Sequence, residues 1–223
     1  MQGSDLDVGV AAAENLADQA LLTKVALEAV GAQARAAAAA KLTDRALLEK
    51  IREEDGDGAV RMAAAEALAV PLVEALRAGL VEARAEGAGI EAVRLRISRK
   101  GEPLTIGIPP GTLFVNTGSA QDMVATEYKM VVLIAESDVV LVDGACANMY
   151  RPIPSEDSSF SIAAAARSKE LRALAPLLRG EPYSVKQAAL WIVSDNASRF
   201  ALARLQRVRQ SITARSSTPV ISD

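Results

Sequence analysis

Between residues 5 and about 83 the apolar positions recur at spacings of three and four, the period of helices that bury one face. ALLTKVAL and ALLEKI carry this pattern most plainly, and Asp18 and Asp44 stand ahead of them where an N-cap belongs. GAQ at 31–33 and DGDG at 55–58 are glycine-containing turns of helix-hairpin length. Around RAEGAGIE, at 84–91, the glycines break the helical pattern and the period changes. Val93, Leu95 and Ile97 alternate with Arg94 and Arg96, as in a half-buried strand. Segments 104–108 and 112–115 follow across the turns GEP and PPG, and 125–134, 139–142 and 144–149 are the further expected strands. After RPIP at 151–154 and a polar loop at 155–159, helical spacing returns over about 163–178. Ser184 reads as the N-cap of VKQAALWIV, and a last helix over about 198–213 carries Arg199, Arg204, Arg207 and Arg209.

The helical stretch repeats. An offset of 26 residues pairs Leu16 with Leu42, Asp18 with Asp44, Leu22 with Leu48, Lys24 with Lys50 and Arg35 with Arg61. An offset of 52 lays residues 8–16 over 60–68, as a third copy would. Units of this kind are stabilised by stacking on their neighbours, so a natural array is expected to extend upstream. Gly58, Val60, Arg61, Ala63, Ala64, Ala65 and Leu68 match the V-R-x-A-A-A-x-x-L motif of short bacterial HEAT repeats, and Arg35 with Ala37, Ala38 and Ala39 matches it again. Residues 5–78 therefore resemble the HEAT-repeat superfamily, with a shorter period and with Ala34 where valine is expected. The resemblance implies a stacked helical solenoid used for protein contacts. The expected fold class is α+β: HEAT-like repeats over 5–90, then a module over 91–215. That module has an antiparallel sheet, sandwich-like, at about 92–150 and helices at about 160–213.

Composition narrows the chemistry. A chain of 223 residues with half of them apolar can bury a core. A net charge of −3 gives no general reason to expect nucleic acid or an anionic membrane as partner. Without a single histidine, neither a Ser-His-Asp or Cys-His arrangement nor a His-ligated metal site can be built. One cysteine excludes an internal disulfide framework and leaves the redox compartment open. No apolar run of membrane-spanning length is present, and MQGSDLD lacks the basic and hydrophobic regions of a signal peptide. Met-Gln-Gly-Ser reads equally as a cloning scar, which leaves the location open: cytoplasmic, or extracytoplasmic after removal of an upstream signal.

The candidate chemistry lies in Cys146, within ACANMYRPIP at a strand end, and Gln187, within KQAALW at a helix start. Together these stretches look like the two halves of the internal thioester in the thioester domains of bacterial surface adhesins. There a strand-borne cysteine, followed within several residues by proline, is joined to the glutamine of a T-Q-x-A-[IL]-W motif. Gln187, Ala189, Leu190 and Trp191 match that motif and Lys186 departs from it; the resemblance spans residues 104–200. Attack of the thiolate on the Gln187 carboxamide would expel ammonia and leave an acyl thioester for a target amine. Trp191, four residues on and on the same helix face, is the candidate shield against water. The helix N-terminus near Val185 is expected to place N–H groups near the acyl oxygen. Against this stands the ordinary role of a lone cysteine as a small buried apolar side chain, and of a tryptophan as a core anchor.

The remaining features are blander. The run at 53–58 has calcium-loop looks but lacks the EF-hand ligand spacing, so it reads as a solvated turn. The arginines of the last helix do not share a face, and no phosphate-binding glycine loop is present. The leading functional expectation is a non-enzymatic protein-binding scaffold without cofactor or metal. The alternatives are covalent surface adhesion through a Cys146–Gln187 thioester, and a β module that only caps the solenoid.

Overall fold

The computed structural model describes residues 13, 15–163 and 169–195. The expected last helix with its four arginines, and the start of the third repeat copy, lie outside them. Helices α1 (Gln19–Glu28), α2 (Ala32–Ala39), α3 (Arg45–Glu54) and α4 (Gly58–Leu68) come first. Strand β1 (Val70–Pro71) and the short helix α5 (Leu72–Arg77) follow. The strands continue with β2 (Val81–Gly87), β3 (Ala92–Arg99), β4 (Leu104–Ile108), β5 (Leu113–Asn116), β6 (Asp122–Ala125), β7 (Lys129–Leu133), β8 (Ser137–Ala147) and β9 (Ser159–Ala163). Helix α6 (Lys169–Leu174), a 3₁₀ turn (Ala175–Leu178) and helix α7 (Tyr183–Asp195) close the described chain.

Two compact units emerge. One takes the described residues up to Leu80 together with Arg99–Gly107 and Met130–Glu136. Its helices start where local chemistry dictates: Asp18 accepts from the N–H groups of Ala20 and Leu21, and Asp44 from that of Leu47. Small alanines let the helices approach closely, and Ala38, Ala64, Leu22, Leu48 and Val60 are almost wholly buried in their shared core. The repeated arginines act alike, each donating to the carbonyl at the end of the preceding helix: Arg35 to Ala29 at 2.9 Å, Arg61 to Asp55 at 2.7 Å.

The repeat nevertheless builds no HEAT-like solenoid, and the expected order of a repeat array followed by a β module is incorrect. The helices are only 6 to 11 residues long in this unit. After α4 the chain enters β1, which pairs in parallel with β4 and joins a three-stranded sheet of order β1-β4-β7. Segments from much later in the chain thus complete the unit that the helices begin. The hairpins share one compact unit with strands from later in the chain, so they do not form a separate repeat array that precedes a β module.

The second unit comprises Val81–Ser98, Ile108–Lys129 and the described residues from Ser137 on. Its strands close into a six-stranded barrel, β2-β3-β8-β6-β5-β9, where an open antiparallel sheet or sandwich was expected. Val93, Leu95 and Ile97 are fully buried in β3, in line with the alternation. Closure depends on β2 and β9, which pair through Ala85 and Phe160. Both were unexpected: VEARAEG is rich in helix formers and three of the five residues of SFSIA are serine or alanine, weak strand signals that a closed ladder overrides. Gly87 in β2 allows a close crossing, since a Cβ there would stand 1.8 Å from the Ser155 carbonyl oxygen. Helix α7 packs Leu190, with Ala189 and Val193, into a cluster with Ala145 and Ala147 of β8, Val124 of β6, and Leu171 and Leu178.

Candidate functional site

Cys146 lies near the end of β8, where one edge of the strand loses its neighbour. The β3–β8 ladder runs from Ser98 opposite Ser137 to Ala92 opposite Asp143, and one further bond joins the Gly144 N–H to the Glu91 carbonyl at 2.9 Å. On the other edge β6 continues, with Met123 opposite Cys146. The N–H and C=O of Cys146 on the open edge therefore need partners from elsewhere, because both are buried.

Gln187 supplies them from the second turn of α7. Its Oε1 accepts from the Cys146 N–H at 2.9 Å, and its Nε2 donates to the Cys146 carbonyl at 2.6 Å. The carboxamide stands in for a peptide group of a missing strand. Cys146 and Gln187 are 3% and 5% exposed, so the pair sits away from bulk water. The Cys146 Sγ lies 3.8 Å from the Ile90 carbonyl oxygen, just before β3. The Tyr183 hydroxyl reaches that same oxygen at 3.0 Å and Gln187 Oε1 at 2.7 Å. Thiol, carboxamide and phenol thus converge around Ile90.

Two polar clamps flank this contact. Glu127, in the turn after β6, accepts from the Gly180 N–H at 2.8 Å and pairs with the Lys186 ammonium. Burial pushes the Glu127 carboxyl up, but the Lys186 hydrogen bond, the Gly180 N–H and the charges of Lys186 and Arg179 outweigh it, leaving its pKa below the usual glutamate value. At the far end of α7, Asp195 accepts from the Met149 N–H at 3.1 Å. Asn148, with φ of 66°, turns the chain out of β8 while its side chain donates to Asp122 at 2.7 Å.

The structure brings together Cys146 and Gln187, singled out from sequence. Trp191 is half-buried one turn beyond Gln187, and its indole N–H is buried with no hydrogen-bond partner among the described residues. The expected helix N-terminal donors do not serve the amide oxygen. Helix α7 begins at Tyr183, so Ser184 lies inside its first turn, and the N–H groups of Val185 and Lys186 both go to the Pro182 carbonyl. The donors at Oε1 are Cys146 N–H and Tyr183 O–H. Sequence reasoning missed Tyr183 and Glu127. Tyr183 was open to discovery as the residue four before Gln187 on one helix face, whereas nothing local marks Glu127.

Both aspartates of the 53–58 run have partners within the protein. Asp55 pairs with Arg35 and Asp57 caps α4 through the Ala59 N–H, and no group of three or more acidic or cysteine side chains among the described residues is arranged to hold a metal. No helix among the described residues is long and apolar enough to cross a membrane. No protein-family model, curated protein or solved structure matches the chain.

Proposed function

We propose that Cys146 and Gln187 form an internal thioester through which the protein attaches covalently to an amine-bearing partner. The observation that carries this reading is the seating of the Gln187 carboxamide against the backbone of the residue that bears the thiol, in a buried site. The Cys146 sulfur adds to the Gln187 carbonyl carbon, the C–N bond breaks, and the thiol proton leaves with the nitrogen as ammonia. An amine, such as a lysine side chain, later adds to the same carbon and releases the thiol, leaving an amide. The resemblance of residues 186–191 to the adhesin motif supports the same assignment, and Lys186, its departure from that motif, has a partner in Glu127. The hairpins build no repeat solenoid, so they support neither a solenoid scaffold nor a cap for one.

Intact mass of the freshly purified chain is the test. Thioester formation lowers the mass by about 17 Da, and methylamine then adds about 31 Da. Cys146→Ala should show neither change. An unshifted wild-type mass with a freely titrating thiol would reduce the Gln187 amide to a structural plug for the open edge of β8.

A further inference from the structure

The Tyr183 hydroxyl holds one proton and faces two acceptors, Gln187 Oε1 at 2.7 Å and the Ile90 carbonyl oxygen at 3.0 Å. The second donor at Oε1 is the Cys146 N–H at 2.9 Å. Resting on the thioester reading, we infer that Tyr183 is a catalytic residue of that chemistry, its hydroxyl and the Cys146 N–H together forming the oxyanion site.

When sulfur adds to the carboxamide carbon, the carbonyl π electrons move onto Oε1, which becomes an alkoxide. The two donors already point at that atom, so little reorganisation is needed as the charge develops. Before reaction the hydroxyl proton is divided between two neutral carbonyl oxygens. Once Oε1 is anionic it takes the whole bond, so the interaction is stronger in the transition state than in the ground state. When the intermediate collapses, the electrons return to the carbonyl and nitrogen departs as ammonia with the thiol proton. Tyr183 gains and loses no proton. Amine attack on the finished thioester builds charge on the same oxygen, so the same two donors serve the opening step. Position on the helix makes this possible: Tyr183 is one turn before Gln187 and packs against the cluster that holds Ala145 and Ala147 of β8.

The experiment is Tyr183→Phe in the full chain, read by intact mass, by the rate of opening with methylamine and by thermal melting. Phenylalanine keeps the ring, so the melting temperature should stay near wild type. Opening should slow by about 10²–10³-fold, as when one oxyanion donor is removed. A folded Tyr183→Phe chain of unshifted mass beside a mass-deficient wild type also supports the role, since formation then needs the donor. Wild-type opening rates in a thioester-bearing Tyr183→Phe chain would overturn it while leaving the thioester intact. A wild type without the mass deficit would overturn both. Should Tyr183→Phe fail to fold, 3-fluorotyrosine in place of Tyr183 keeps hydroxyl and ring but donates more strongly; opening at mildly acidic pH should accelerate, and an unchanged rate would overturn the inference.

Discussion

Gln187 and Cys146 are 41 residues apart in the chain, yet the side-chain amide of one satisfies both backbone groups of the other, at 2.9 and 2.6 Å. Replacing Gln187 by alanine strands a buried N–H and a buried C=O, and each such group costs about 1–3 kcal/mol. Gln187→Ala is expected to lower stability by about 2–4 kcal/mol in a Cys146→Ala background, where no cross-link can form on either side of the comparison. Urea midpoints measure it; a loss within error would show that water replaces the amide readily.

Gly144, two residues before Cys146, lies close against β6: a Cβ there would stand 2.9 Å from the Val124 carbonyl oxygen, a backbone atom with little freedom to move. Gly144→Ala should cost about 1–3 kcal/mol by forcing β6 and β8 apart. It should also slow thioester formation, since the shift reaches Cys146. Gly87→Ala, facing a 1.8 Å approach to Ser155, is expected to destabilise more. Thermal melts of the two variants rank them.

Glu127 and Lys186 are 25% and 11% exposed at their side chains. Glu127→Gln removes the charge that balances a buried ammonium and should cost about 1–3 kcal/mol. Because the folded-state pKa of Glu127 is lowered, the folded chain binds fewer protons there than the unfolded chain. Its contribution is fully present above the unfolded value of about 4.3 and is lost as pH falls through the lower folded value. Urea denaturation across the acid range should therefore show a steeper fall below about pH 4 for wild type than for Glu127→Gln.

Arg35 grips Asp55 with two nitrogens, at 2.9 and 3.1 Å, and also donates to the Ala29 and Val30 carbonyls. Its hydrogen bond is the main reason that the Asp55 carboxyl sits below the usual range. Arg35→Ala is expected to cost about 1.5–3 kcal/mol, the range for bonds to charged groups. Arg61→Ala, which loses an exposed bond to the Asp55 carbonyl, should cost less than about 1.5 kcal/mol. The sign for Asp55 matches that for Glu127: stability is present above about pH 3.9 and is lost as pH falls through the folded value. Wild type should fall further than Arg35→Ala in acid.

What the sequence determined by itself is whatever depends on neighbours in the chain. Asp18 and Asp44 cap helices because a carboxylate two or three residues ahead of free N–H groups needs no other partner. Val93, Leu95 and Ile97 declare a strand because period two puts them on one face. The 26-residue repeat likewise fixes the Arg35 and Arg61 caps. The motif around Gln187 brought that residue and Cys146 into view, through a resemblance rather than through geometry. Tertiary structure decided the rest. Repeated hairpins did not become a solenoid, because what the chain does after Leu68, pairing β1 with β4, is invisible within the repeat. The barrel closes through β2 and β9, whose own residues signal a strand only weakly, because ladder bonds and burial outweigh local propensity. The site itself arises where β3 stops short of Cys146, leaving an N–H and a C=O that only a distant side chain can fill. Buried polar groups must find partners wherever the fold presents them, and sequence distance does not limit that search.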